Sequence, residues 1–170
     1  MTFPARYTSW GQRGSATPLL MEEGPEELGT FGVERATVGE QSWILHATKD
    51  QATATTEAGE TFALAGNRAR AKNLTADLGG RTVTFLNESR QDWVIEDAHG
   101  AKIAQFSGGN NGVRRCVLEV EEGAQVSTTE VVALSWFVRL ILEARLRASS
   151  TVLIITLVAA TLIAVLAILL

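Results

Sequence analysis

Short runs of alternating apolar and polar residues fill the chain from Gly29 to Gly123. Turn-forming clusters such as Gly79-Gly80 and His99-Gly100 separate these runs, about every 8–12 residues. Gly and Asn suit such turns because they adopt the positive φ that tight hairpins need. The pattern predicts nine strands: Thr30–Arg35, Ser42–Thr48, Ala52–Thr56, Thr61–Ala65, Arg68–Thr75, Arg81–Asn87, Asp92–Asp97, Lys102–Ser107 and Val113–Glu121.

Evenly spaced short strands indicate an antiparallel meander, which closes into a barrel or packs as a sandwich. No long helical period interrupts the strands, and this argues against a βαβ fold. We therefore expect a mainly β, barrel-like domain over residues 29–147, closed by a helix at residues 129–147.

The helix predicted at residues 129–147 carries one narrow polar stripe. Ser135, Arg139, Glu143 and Arg147 recur every four residues, and the other faces are apolar. Arg139 and Glu143 would each cost about 2.5–3.5 kcal/mol near the centre of a membrane span. We therefore expect this helix to be enclosed by protein.

The segment Thr151–Leu170 contains no charge, no Pro and no Gly. Twenty helical residues span about 30 Å, the thickness of the hydrocarbon core of a bilayer. The segment predicts a C-terminal, single-pass transmembrane anchor, with Ser149–Thr151 offering N-cap chemistry for a new helix. The alternative is that this apolar helix lies inside the barrel as its core.

Residues 1–28 hold all three prolines and the acidic cluster Glu22, Glu23, Glu26 and Glu27. The composition predicts a flexible acidic N-terminal arm, which Trp10 could tie to the domain. Such a charge cluster is usually just solvated.

The formal net charge of the chain is −4. An acidic domain argues against nucleic acid as a partner, and against strong binding to anionic lipid by charge alone. Cys116 is the single cysteine, and with the distant His46 and His99 it cannot form a structural zinc set. We expect no metal, no cofactor and no catalytic set, with Cys116 as a core thiol and residues 108–112 as a hairpin turn.

One basic patch stands out in the domain. Arg68, Arg70 and Lys72 alternate with alanines, so on a strand they share one face, and Arg81 extends the patch across the hairpin. The patch is a candidate contact for lipid headgroups. The alternative interpretation is the solvated face of a strand.

Two hairpin units begin with tryptophan, at Trp43-Ile44-Leu45 and at Trp93-Val94-Ile95-Glu96-Asp97-Ala98-His99-Gly100. Such units, followed by the apolar helix Val131–Leu146, resemble the tubby C-terminal-like superfamily, which includes the LURP-one-related and phospholipid-scramblase-like proteins. The resemblance implies a barrel around a central C-terminal helix. The Trp43 unit departs from the pattern, because Lys49-Asp50-Gln51 stands where Asp-x-x-Gly would be expected.

These observations favour a non-enzymatic, membrane-anchored binding or scaffold module that faces the cytoplasm, because Arg139, Arg145 and Arg147 precede the span. Its ligand would be a protein or a lipid headgroup. The alternative function is a scramblase-like protein that perturbs lipids as an oligomer. Small residues on one side of the span could support a weak homodimer: Thr156, Ala160, Ala164 and Ala167.

Overall fold

The computed structural model of the protein describes residues 2–89, 91–109 and 115–169, and excludes the side chains of residues 152, 153, 162 and 164–169. Over these residues the fold is mainly β: a closed antiparallel barrel of twelve strands and one long helix. The strands are β1 Tyr7–Trp10, β2 Thr17–Met21, β3 Glu27–Phe31, β4 Arg35–Val38, β5 Gln41–Ala47, β6 Gln51–Thr56, β7 Thr61–Ala65, β8 Asn73–Leu78, β9 Thr82–Asn87, β10 Asp92–Asp97, β11 Lys102–Ser107 and β12 Leu118–Val120. The helix, α1, is Thr128–Leu169.

Each strand pairs with its neighbours in sequence, and the pairing of β1 with β12 closes the barrel. Because every pair is antiparallel, successive loops alternate between the two ends of the barrel. We call the end with the β1–β2, β3–β4, β5–β6, β7–β8, β9–β10 and β11–β12 loops the exit rim. The far rim holds the other five loops and residues 121–127, which lead into α1. The helix therefore enters at the far rim and leaves at the exit rim.

Strand β8 and its turn show why the sequence forms this barrel. Leu74, Ala76 and Leu78 are buried, and the residues between them are exposed, as expected for a strand with one face on a core. The connection to β9 contains Gly79 and Gly80, with φ of 69° and 100°. These values lie in the left-handed region that glycine adopts most readily.

The barrel is filled by the first part of α1. Residues 131–138 are all buried, and Phe137 and Ile141 are among the fully buried side chains. An eight-stranded barrel is just wide enough to be filled by its own side chains, so a barrel of twelve strands needs additional filling. The prediction of a helix enclosed by protein is confirmed.

A capping box fixes the start of α1. The Ser127 hydroxyl accepts from the backbone N–H of Glu130 at 3.2 Å, and the Glu130 carboxylate accepts from the N–H of Ser127 at 2.7 Å. This reciprocal pair satisfies two N–H groups that the first turn leaves without helical partners. The observed start, Thr128, is one residue before the predicted one.

The helix then continues to Leu169 without interruption, so the prediction of a second helix start near Ser149–Thr151 is wrong. The hydroxyls of Ser149 and Ser150 donate to the carbonyl of Leu146, and that of Thr151 donates to the carbonyl of Arg147. These side chains bond back to the preceding turn and do not cap a new one.

Among the residues that the structure describes, no helical stretch has the length and apolarity required of a membrane span. Of the twenty residues of the predicted anchor, Thr151–Leu170, ten have side chains outside the described set.

Residues 2–28 form part of the barrel, so the prediction of a separate flexible arm over residues 1–28 is wrong. They contribute β1 and β2, and Trp10 and Leu19 are part of the core. Two of the three prolines lie outside the strands, and Pro18 is accommodated within β2. The acidic cluster lies mostly in the β2–β3 loop, where its residues are exposed and Glu23 pairs with Arg115.

Three predicted strands have different bounds in the structure. The segment predicted as Thr30–Arg35 is split between β3 and β4 by a turn at residues 32–34. The strand predicted from Arg68 begins at Asn73. The last strand is only Leu118–Val120, and residues 113 and 114 of its predicted range lie outside the described residues.

Replacing a large, buried side chain of α1 should destabilise the fold. Trp136 is 4% exposed, so Trp136→Ala should lower the free energy of unfolding by about 3–5 kcal/mol. Urea-unfolding curves measure the change. Ile44→Ala is the matched control, because Ile44 is 63% exposed on the outer face of β5 and its loss should change stability by less than about 0.5 kcal/mol. Equal stabilities for Trp136→Ala and the native chain would show that α1 is not the core.

Candidate functional site

The polar stripe of α1 faces the hairpin formed by β1 and β2. The Ser135 hydroxyl donates to the carbonyl of Val131 at 2.7 Å and lies 2.7 Å from the Thr8 hydroxyl. Because Ser135 has only one hydroxyl proton, Thr8 is the donor in their shared bond. Both side chains are fully buried, so this pair satisfies polar atoms that water cannot reach.

One turn further along, Arg139 continues the same contact. Its guanidinium donates to the Thr17 hydroxyl at 3.3 Å and lies 4.5 Å from the centroid of the Trp10 ring. The Glu143 carboxylate accepts from Arg139 and from Arg13, each at 3.0 Å. One partly buried carboxylate therefore holds two guanidinium groups, and the aromatic face of Trp10 adds a cation–π contact.

Arg145 marks the point where α1 leaves the barrel. It donates to the carbonyl of Ala71 in the β7–β8 loop, and its guanidinium lies 4.6 Å from the centroid of the Trp93 ring. Desolvation by these neighbours lowers the pKa of Arg145. Beyond this residue the helix is outside the barrel, since Leu146 is 51% exposed.

The predicted basic patch does not form on a strand. Residues 68–70 are in a turn, and Arg68 is only 7% exposed. Its Nη2 donates to the carbonyl of Thr48, and burial lowers its pKa, opposed by the nearby charge of Asp50. Arg68 therefore links the β5–β6 and β7–β8 loops. The prediction that it contacts headgroups is wrong, because its guanidinium is enclosed by protein.

The other three predicted residues lie at opposite ends of the barrel. Arg70 and Lys72 are exposed on the exit rim. Arg81 is on the far rim, where it donates to the carbonyl of Gln125 at 2.6 Å and pairs with Glu130 at 3.4 Å. Strand β8 separates the two groups, and its six residues span about 20 Å. The expected extension of the patch to Arg81 is therefore wrong.

The topology separates the charges of the chain between the two rims. The described residues of the exit-rim loops carry six cations and three anions: Arg13, Lys49, Arg68, Arg70, Lys72 and Arg115, with Glu34, Asp50 and Glu88. The far-rim segments, with residues 2–6, carry two cations and eight anions: Arg6 and Arg81, with Glu22, Glu23, Glu26, Glu40, Glu57, Glu60, Glu121 and Glu122. The ends of the barrel thus differ strongly in charge, although the chain as a whole is weakly acidic.

Some exit-rim cations are committed to protein contacts. Arg13 pairs with Glu143. Arg115 pairs at 3.0 Å with Glu23 of the β2–β3 loop, so this one far-rim anion reaches an exit-rim cation. Lys49, Arg70 and Lys72 are exposed, and they lie on the β5–β6 and β7–β8 loops, which flank the hairpin of β6 and β7. These three side chains form the accessible basic part of the exit rim.

An apolar side chain also projects from the exit rim. Val33, in the β3–β4 loop, is 91% exposed, the most exposed of the large hydrophobic residues described. Sequence reasoning missed both Val33 and Lys49 as candidate site residues. The sequence could have placed these residues at one end of the barrel, because successive loops alternate between the two ends. Assigning Lys49 to an end, however, requires the correct number of strands before it.

Other titratable groups have structural roles. The Asp97 carboxylate accepts from the backbone N–H groups of Ala101 and His99, each at 2.9 Å, and these bonds lower the pKa of Asp97. Cys116 is fully buried, and burial raises the pKa of its thiol to about 12. No group of three or more potential metal ligands is found among the described residues. Of the predicted turn at residues 108–112, the last three residues lie outside the described ranges.

No family model, curated protein or solved structure matches the chain. The resemblance to the tubby C-terminal-like superfamily stays a prediction.

The buried contact between Ser135 of α1 and Thr8 of β1 can be measured as a coupling free energy in a double-mutant cycle. Ser135→Ala leaves the Thr8 hydroxyl without its acceptor and should cost about 1–3 kcal/mol. Thr8→Val, close in shape, removes that donor. We therefore expect the double variant to be less destabilised than the sum of the single variants, by about 0.5–3 kcal/mol in urea unfolding. Strict additivity would show that the two hydroxyls do not interact.

Proposed function

We propose that the protein is a non-enzymatic binding or scaffold module held at a membrane by one helix. In this proposal Thr151–Leu170 lies in the bilayer, and the barrel lies on the cytoplasmic side. The observation that carries it is the course of α1, which fills the barrel and then continues outward in a single uninterrupted helix.

The outer part of α1 supports a lipid environment because its apolar side chains are exposed on all sides. Ile154, Ile155, Leu157, Val158 and Ile163 are each more than half exposed. At about 100° per residue they point around the whole circumference of the helix. A groove on a protein partner would cover one face, whereas a bilayer covers every face of an apolar helix.

The charges before the span support the orientation. Arg145 and Arg147 lie just before Thr151, and no charged residue occurs from Thr151 to Leu170. Positive charges next to a span favour the cytoplasmic side. The barrel precedes the span, so the same side would hold the barrel.

The filled interior supports recognition by the outer surface. Residues 131–138 of α1 occupy the space that a ligand would need inside the barrel. A partner would therefore meet the rims and the outer faces of the strands. No observation favours the scramblase-like alternative. The proposed weak homodimer stays a prediction, since the side chains of Ala164 and Ala167 lie outside the described set.

Membrane extraction tests the anchor directly. The full chain should remain with membranes after washing at alkaline pH in carbonate, and a chain truncated after Ser150 should be soluble and folded, because the residues that fill the barrel are retained. Circular dichroism of the truncated chain measures its folding. A truncated chain without β structure would mean that the tail belongs to the core.

Charged substitutions provide a matched control. Leu157→Arg with Val158→Arg places two charges in the proposed span, at about 2.5–3.5 kcal/mol each near its centre, and should release the chain from membranes. Ile44→Arg adds a charge on the exposed outer face of β5 and should leave the distribution unchanged. Retention of the doubly substituted chain after carbonate washing would argue against the anchor.

A further inference from the structure

We propose that the exit rim is a docking surface for anionic phospholipid headgroups, and that this contact sets the orientation of the barrel on the membrane. The proposal rests on the proposed anchor and adds a second contact to it. Three independent features of the exit rim support it: its charge, an exposed apolar loop tip and its distance from the span.

The accessible charge at the exit rim is net positive. Lys49, Arg70 and Lys72 are exposed on two nearby loops, and Arg35 is exposed at the start of β4. The exposed anions of the exit-rim loops are Glu34, Asp50 and Glu88. Arg145 and Arg147 add positive charge on the helix that leaves through the same rim. Basic residues close to a membrane surface are attracted by anionic lipids, and the attraction falls off within a Debye length.

The exposed side chain of Val33 fits the same surface. It lies at the tip of the β3–β4 loop, between Gly32 and the exposed Glu34, and two residues before the exposed Arg35. An apolar side chain beside basic residues is the combination found where proteins lie in a membrane interface. In water the exposed Val33 side chain gains no stabilisation, whereas the boundary between headgroups and acyl chains offers apolar surface to cover it.

The length of helix between rim and span places the rim in the headgroup layer. Leu146 is the first well-exposed residue of α1 after the barrel, and the proposed span begins at Thr151. Five helical residues rise by about 8 Å, and headgroups extend about 5–8 Å beyond the hydrocarbon core in each leaflet. Because α1 has no break, the exit rim meets the headgroups and the acidic far rim points away.

A fluorescence measurement on the full chain tests the proposal. The dye is attached to Val33→Cys on the exit rim or to Glu57→Cys on the far rim, and is quenched by lipids with a nitroxide on the headgroup. The buried Cys116, with its pKa raised to about 12, should not react with the dye at neutral pH. The chains are reconstituted in vesicles of phosphatidylcholine alone and of phosphatidylcholine mixed with phosphatidylserine.

We expect strong quenching at position 33 in the mixed vesicles, weaker quenching there in phosphatidylcholine, and none at position 57 in either. High salt should reduce the difference between the lipids, because the Debye length falls to about 3 Å at 1 M. Arg70→Glu with Lys72→Glu should remove it. Arg6→Glu with Lys102→Glu is the control: it makes the same change in net charge away from the exit rim and should leave the quenching intact.

Two results would overturn the proposal. One is equal quenching at positions 33 and 57. The other is quenching at position 33 that is the same in both lipids and unchanged by Arg70→Glu with Lys72→Glu, which would mean that the helix alone holds the rim. Loss of quenching on adding a short single-stranded oligonucleotide, at lipid and salt concentrations that otherwise preserve it, would assign the surface to nucleic acid.

Flotation with vesicles separates this proposal from the anchor. A chain that floats only with anionic vesicles and is released by salt would support the exit rim and reject the anchor. A chain that resists carbonate but shows no lipid-dependent quenching would support the anchor and reject the exit rim. Failure to float with either kind of vesicle would reject both.

Discussion

The structure depends on the mutual filling of a wide barrel and an apolar helix. Twelve strands enclose more space than their own inward side chains can occupy. The first half of α1 has apolar residues on nearly every face, and exposed to water it would be unstable. Each element therefore supplies the burial that the other lacks. The capping box of Ser127 and Glu130 fixes where the helix enters, and so determines which side chains meet the barrel wall.

The polar stripe of α1 constrains where the barrel closes. A helix surrounded only by apolar strands would keep the Arg139–Glu143 pair but would lose the contacts that Thr8, Arg13 and Thr17 make with the polar stripe. A buried ion pair without such additional bonds is costly, because its desolvation is not offset. The β1–β2 hairpin supplies hydroxyls from Thr8 and Thr17 at the matching height. The N-terminal hairpin thus closes the barrel and also supplies the polar partners of α1. These contacts explain why an N-terminal segment rich in proline and glutamate is ordered.

Sequence reasoning succeeded where structure is local. Strands β7, β10 and β11 have the predicted bounds, because alternation and turn chemistry act within one hairpin. It failed where the deciding contact is remote. The partner of β1 is β12, with Thr8 opposite Leu118, and no local sequence pattern predicts that pairing. Arg68 looked like a strand cation, but its burial depends on the carbonyl of Thr48 in another loop.

Net charge is a poor guide to how this barrel meets a charged surface. A formal charge of −4 argues against anionic lipid only if the charges are spread evenly. In an up-and-down barrel, however, each connecting loop lies at the opposite end from the loops before and after it. The two ends can therefore differ in charge without any run of like charges in the sequence. Helix α1 has no break between the exit rim and its outer segment. The outer segment therefore points along the same direction in which the charge of the barrel changes from acidic to basic. An anionic surface met along this axis attracts the near end, while most of the acidic loops lie about 20 Å further away, beyond the roughly 8 Å over which physiological salt screens charge.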